Sequence, residues 1–228
     1  MRDMKQVNQM AKIMLLCHVD ENFKKIENLV FDNHKNYCDK HNVIYKKIYT
    51  KDILISSDLI NNQVYWLKIY ALYDQLINNP DIDWIFLLDI DCIFLRKTIP
   101  LDFFVSSCNN KQDILLCYMD NNIVNFWNVN IGAAFFKNTV FVKQFIRNML
   151  DFAEQKSFSI YEQNCLQYML QHNHMSVLDH VGFFPEHSFN HGHDNSFIFH
   201  ACAESSAFST DSLEEIIDKK CNLLRRYL

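Results

Sequence analysis

The chain is 228 residues long, 49% hydrophobic and 21% charged, which supplies a sizeable buried core and excludes a disordered polypeptide. With 3 Gly and 3 Pro it is neither collagen-like nor linker-rich, and Gly132, Gly182 and Gly192 lie too far apart for a glycine-rich phosphate loop. A net charge of −5, with no Lys/Arg run longer than a pair, removes the basic face that non-specific nucleic-acid binding requires.

Residues 1–10 are polar, and the run Ile13-Met14-Leu15-Leu16-Cys17 is too short for the core of a signal peptide. It reads instead as a first buried strand over 12–19. Phe23, Ile26, Val30, Tyr37 and His41 recur at three- and four-residue spacing and predict a helix over 21–41. The β-branched and aromatic segment 43–49 predicts a second strand. Val64, Leu67, Tyr70, Ala71 and Leu72 predict a helix over 62–78, stopped by Asn78-Asn79-Pro80. Trp84-Ile85-Phe86-Leu87-Leu88 is a continuous apolar run of the kind buried on both faces of a parallel sheet. Further strands are expected at 114–119, 131–136, 177–178 and 197–201, and helices at 139–155 and 159–172. Segment 212–227 opens with a capping box, Ser212-x-x-Glu215, and aligns Leu213, Ile216, Ile217, Cys221 and Leu224 in one stripe.

Strands alternating with helices predict an α/β fold whose sheet carries helices on both faces. With no repeat and no linker, residues 1–228 read as a single domain, with its core over about 12–205 and an amphipathic helix at 212–227. No stretch approaches the ~18 apolar residues of a membrane span. The eight cysteines (Cys17, Cys38, Cys92, Cys108, Cys117, Cys165, Cys202 and Cys221) form no C-x-x-C pair. A soluble, cytoplasmic chain with reduced thiols is therefore expected, peripheral membrane contact being left open.

The feature that carries chemistry is Leu87-Leu88-Asp89-Ile90-Asp91-Cys92-Ile93-Phe94. Two carboxylates interrupt an apolar run at a strand end, and strand alternation would turn Asp89 and Asp91 to the same side. Two anions at the edge of a core repel each other unless a cation stands between them, and a divalent metal meets that need. The carboxyl end of a parallel strand is also where open α/β sheets place ligands. The plain alternative is a solvated turn, as expected for Asp81-Ile82-Asp83 after Pro80. Far downstream, His200 ends an apolar run, and an imidazole with carboxylates suits Mn2+ and similar ions. Its alternative is a satisfied core histidine. His187, His191 and His193 have metal-like spacing but no matching cysteines, and read as loop polarity.

Trp84–Phe94 resembles the metal motif of GT-A fold glycosyltransferases. Tyr65-Trp66-Leu67-Lys68-Ile69-Tyr70-Ala71-Leu72 is similar to the Trp-x-Lys helix of one family among them. That family holds the fungal α-galactosyl- and α-mannosyltransferases and the plant xyloglucan α-xylosyltransferases. Asn130-Ile131-Gly132-Ala133-Ala134 resembles its Asn-x-Gly strand, and Glu162-Gln163-Asn164-Cys165-Leu166 its acidic-Gln helix start. Phe189-Asn190, followed by Phe197-Ile198-Phe199-His200, resembles its closing segment, whose final histidine is a metal ligand.

The resemblance implies a GT-A type fold, Rossmann-like, with a mixed, mainly parallel sheet flanked by helices. It implies Mn2+ or Mg2+ as cofactor, a nucleotide sugar as donor (UDP- ahead of GDP-) and a glycan or glycosylated acceptor. The metal ligands would be Asp89, Asp91 and His200. Asp89, Lys68, Cys17, His18, Asn130 and Gly132 would bind the donor, and Gln163 and Glu162 would face the transferred sugar, with anomeric configuration retained. One departure is visible: Ala203 stands where that family has glycine, and no Lys or Arg follows nearby to meet the diphosphate. Two other readings stay open. One is a non-catalytic binding or scaffold protein of the same fold. The other is a D-x-D phosphohydrolase, which would call for a Gly-Asp metal motif that the chain lacks.

Overall fold

The computed structural model describes residues 10–53, 64–109, 111–119, 125–156, 160–185, 188–189, 196–201 and 211–228. Strand β1 (Ile13–Val19) pairs in parallel with β2 (Ile44–Tyr49) on one side and β3 (Trp84–Leu88) on the other. The chain between β1 and β2 forms α1 (Lys24–His41), closed by Asn42 in the left-handed conformation (φ 54) with its N–H on Cys38 O. Helix α2 (Val64–Asn78) leads back to β3. The sheet is completed by β5 (Ile114–Tyr118), β6 (Val129–Lys137) and β7 (Val181–Phe184), in the order β2-β1-β3-β6-β5-β7. Strand β6 runs antiparallel to both its neighbours, so five strands point one way and one points back. A separate antiparallel pair is made by β4 (Cys92–Phe94) and β8 (Ile198–His200). The remaining α-helices among the described residues are α3 (Asp102–Ser106), α4 (Val140–Gln155), α5 (Glu162–Gln171) and α6 (Leu213–Leu224).

The apolar runs build this sheet because alternate residues serve two cores. Leu15, Cys17, Val19, Phe86, Leu88 and Phe135 face one side, with α1, α6 and the β4–β8 pair. Met14, Leu16, Ile85, Leu87, Ala134 and Phe136 face the other, with α2, α4 and α5. A strand covered on both faces has no polar side to show, which is why these segments read as unbroken hydrophobic runs. Below the β4–β8 pair, Tyr37 stacks on Phe94 at 3.7 Å and donates its hydroxyl to Ile99 O. Phe104 meets Phe135, Phe189 and Phe197 at 4.9–5.9 Å between ring centroids. Each such ring contributes about 1.5–3 kcal/mol by burial, so the small sheet rests on an aromatic bed.

The strand expected at 177–178 is not one. Val177 and Leu178 lie in a 3-10 segment, His174–Asp179, entered through left-handed Asn173, Met175 and Ser176. Val177 is fully buried there as a plug in the second core, and two apolar residues without a pairing partner cannot sustain a strand. The strand follows at β7, where Val181 comes opposite Ile114. The short β4 and α3 carried too few residues to be read as periodicity. The capping box of α6 is present in full, Ser212 Oγ accepting from Glu215 N and Glu215 answering on Ser212 N. No helix among the described residues is long and apolar enough to cross a membrane.

Candidate metal and donor site

Asp89 and Asp91 do not converge by strand alternation, as expected from sequence. Strand β3 ends at Leu88, and Asp89–Cys92 form a turn closed by Cys92 N donating to Asp89 O at 3.1 Å. Asp89 N continues the ladder onto Gly132 O at 2.7 Å, and Ala201 N bonds Asp91 O at 2.9 Å. The turn is thereby pinned between β6 and β8. From the opposite side, the Asn33 carboxamide pairs with both backbone groups of Phe94 (2.8 and 3.1 Å), and His34 Nε2 bonds Cys92 O at 2.7 Å. Helix α1 thus holds β4 as a neighbouring strand would.

Pairing Cys92 opposite His200 carries the imidazole to Asp91, with His200 Nε2 3.2 Å from Asp91 Oδ1 and 3.9 Å from Asp89 Oδ2. Gly132 makes room for it. A Cβ there would stand 2.2 Å from His200 Cε1 and 2.9 Å from Asn130 Oδ1, so no side chain fits beneath the ring. Asn130 folds back, its Oδ1 accepting from Gly132 N at 2.6 Å.

Two ammonium groups balance the carboxylates. Lys68, from α2, lies 2.9 and 3.1 Å from the two oxygens of Asp89 and 3.1 Å from Glu162 Oε1. Burial alone would lower its pKa, but Asp89 and Glu162 outweigh that and hold it well above the ordinary lysine value. Lys220, from α6, pairs with Asp91 Oδ2 and donates to Ala201 O at 3.0 Å. Burial pushes the Asp91 carboxyl up, yet His200 and Lys220 together hold it well below the usual carboxylate range. Three carboxylates therefore face two ammonium groups at the C-terminal ends of β1 and β3. A hollow of about 170 Å3 there is lined by His18, Asp20, Tyr65, Lys68, Asp89, Asp91 and Lys220, among others. A larger hollow, about 520 Å3, lies against β2 and α2 beside Lys46, Asp52, Tyr73 and Asp74, but among the described residues the group that could hold a metal ion, Asp91, Cys92 and His200, adjoins the smaller one.

The donor atoms suit a hard or borderline divalent ion. Adjacent ligands of an octahedral ion, each at ~2.1 Å, stand ~3.0 Å apart, and Asp91 and His200 are at 3.2 Å. Cys92, whose sulfur lies within 4.8 Å of both, is the third group of this cluster. Burial pushes its thiol up to about 12, so at neutral pH it keeps its proton, directed at Gly132 O (3.8 Å). That leaves oxygen and nitrogen as the ready ligands.

The other expected residues are divided. Neutral His18 lines the hollow; burial pulls its pKa down to about 4, and its Nε2 shares a bond with Thr50 Oγ1, which donates to Asp20. Cys17, one position earlier, faces the core with no exposed surface and a thiol raised by burial, so its side chain offers the donor nothing. Glu162 is in the cluster, whereas Gln163 turns its carboxamide to Met119 Sδ at 3.5 Å. His187, Asn190, His191, His193 and Ala203 lie outside the described residues. The sequence reading did not find Lys220, although Lys219-Lys220 flanks the apolar stripe of α6 and so places one lysine at its seam. It also passed over Asn33 and His34, whose polarity inside a helical stripe was the available signal.

Residues 9–117 match the galactosyl transferase GMA12/MNN10 family, a span that includes Lys68, Asp89 and Asp91. No curated protein sequence matches the chain. Among solved structures, the chain is similar to a glycosyltransferase involved in the glycosylation of the major capsid of PBCV-1, at TM-score 0.68 and 12% identity, covering 92% of this chain and 98% of that one. It is also similar to the galactosyltransferase LgtC, solved with donor and acceptor sugar analogues, at TM-score 0.54 and 12% identity (94% and 96% covered). A third similarity is to the glycosyltransferase GlyE of Streptococcus pneumoniae TIGR4, at TM-score 0.53 and 12% identity (95% and 63% covered). The fold is of the GT-A type, and together with the family match it supports glycosyl transfer.

Proposed function

We propose that this chain is a metal-dependent glycosyltransferase that moves a hexose or pentose from a nucleotide sugar, UDP-linked in preference to GDP-linked, to a saccharide or protein-linked acceptor, with the α configuration retained. The observation that carries this reading is the meeting of Asp91 and His200 at 3.2 Å, beside Asp89, at the ligand-binding end of the sheet. Mn2+ or Mg2+ held by Asp91, His200 and Asp89 would supply the Lewis acid that offsets charge on a departing diphosphate.

The chain's own groups do the rest. The bond from the sugar C1 to the diphosphate oxygen breaks, both electrons leaving with the phosphate, and a bond from C1 to the acceptor oxygen forms. The acceptor's hydroxyl proton passes to the departing phosphate on a front-face route. Lys68, held charged between Asp89 and Glu162, offsets part of their negative charge on the donor side. Glu162 Oε2 is buried and has no hydrogen-bond partner among the described residues. An unmet buried acceptor costs about 1–3 kcal/mol, and a hydroxyl of the bound sugar donating to it would recover that. Glu162 is thereby assigned to the transferred sugar, with Gln163, whose carboxamide meets Met119 Sδ, beside it at the helix start. Tyr65 and Tyr161, exposed and edge-to-face at 4.9 Å, border this end of α2 and α5 and offer apolar ring surface to a saccharide acceptor. The seven described cysteines are all free thiols, which supports a cytoplasmic setting.

The test is a panel of nucleotide sugars with saccharide acceptors, scored for Mn2+-dependent release of nucleoside diphosphate. Turnover with one donor, lost in Asp91→Ala, supports the proposal. Failure of UDP and GDP to bind at millimolar concentration with Mn2+ present would replace it with a scaffold role.

A further inference from the structure

Helix α6 delivers Lys220 to Asp91 across 129 positions of sequence. The two side chains are 13% and 10% exposed, so the pair is built into the pocket wall. The helix that carries it is fixed. Ile217, Cys221 and Leu224 are buried in the first core, Lys25 pairs with Asp218, and Tyr227 packs on Phe199, next to His200 in β8. The Asp91 carboxylate is thus divided, Oδ1 toward His200 and Oδ2 toward Lys220. A divalent ion on Asp91 would stand against an ammonium group at contact range, where like charges repel strongly.

We propose that Lys220 is the pocket's own counter-cation. It holds Asp91 while no divalent ion is bound, gives up that carboxylate when the ion arrives, and then pairs with the phosphates of an incoming nucleoside diphosphate. Its hydrogen bond to Ala201 O is the pivot, keeping the ammonium at the pocket wall as its anion is exchanged. An ammonium group that loses its carboxylate in a buried place needs another anion, so the ion and the diphosphate bind cooperatively, each relieving the other's cost. The phosphate half of this inference rests on the transferase reading above; the competition for Asp91 rests on geometry alone.

The experiment uses Mn2+ alone, followed by electron paramagnetic resonance, and UDP at saturating Mn2+, followed by calorimetry. Lys220→Met should bind Mn2+ about tenfold more tightly without nucleotide and UDP about tenfold more weakly with Mn2+. Lys220→Arg, which keeps the charge, should stay near wild type in both. On the wild-type protein, acylation of Lys220 read by peptide mass should speed up several-fold with Mn2+ alone and slow again when UDP is added. Unchanged Mn2+ affinity in Lys220→Met, or a labelling rate indifferent to Mn2+, would overturn the inference. If wild type binds Mn2+ and UDP while either of those results holds, only the role of Lys220 falls. If wild type binds neither, the metal site and the inference fall together.

Discussion

Replacing Gly132 with alanine puts one methyl group into the floor of the proposed metal pocket. The added carbon would lie 2.2 Å from His200 Cε1, where ordinary contact begins at 3.4 Å, so the ring must withdraw by about 1.2 Å or β6 must bend away. Neither is easy: His200 is 6% exposed and paired into β8, and Gly132 O is the acceptor for Asp89 N. Overpacking of this kind costs about 1–3 kcal/mol, which for a chain of this size lowers Tm by about 2–12 °C. The displaced ring also leaves the 3.2 Å contact with Asp91, and misplacing one ligand group lowers metal affinity about 10- to 100-fold. Urea denaturation and Mn2+ titration measure the two effects on one sample. A Gly132→Ala protein with wild-type midpoint and wild-type Mn2+ affinity would refute the argument that this glycine exists to seat the imidazole.

Three further outcomes are expected. Asp91→Asn leaves Lys220 buried without its anion and should cost about 3 kcal/mol as well as abolishing Mn2+ binding; retention of either property in denaturation or titration would contradict the site. Burial holds His34 at about 4 against an ordinary 6.5, so the unfolded chain takes up more protons in between. Stability is then full above pH 6.5 and falls as the pH drops toward 4, and His34→Gln should make that slope shallower in urea melts at pH 7, 5.5 and 4.5; parallel slopes would sink the assignment. Lys68→Met and Glu162→Gln should couple by about 0.5–3 kcal/mol in a double-mutant cycle, since the first leaves Glu162 without its cation and the second leaves Lys68 with Asp89 alone. Additive costs would mean that the ion pair is incidental.

Much of this was legible because burial on both faces writes itself into the sequence. The run 84–88 announced a central strand, and two aspartates directly after it stood out for the same reason. Their meeting with His200 depends on β4 pairing with β8, and only the likeness of the closing segment to a known motif pointed that way. What stayed hidden turns on angles of single residues. Cys17 and His18 are neighbours on a strand, and one faces the core while the other lines the hollow. Glu162 and Gln163 are neighbours at a helix start, and about 100° of rotation sends one to Lys68 and the other to Met119. Lys220 depends on how α6 docks against α1, which no local pattern encodes.

The order of the parts along the chain sets when the molecule becomes competent. All six described strands of the main sheet precede His200 and Lys220, so in synthesis Asp89 and Asp91 emerge well before β8 and α6, the elements that cover the first core and bring the imidazole and the second ammonium group to Asp91. A chain cut short before β8 would keep both aspartates but neither of the groups that meet Asp91, so the proposed cation site is the last part of the molecule to close.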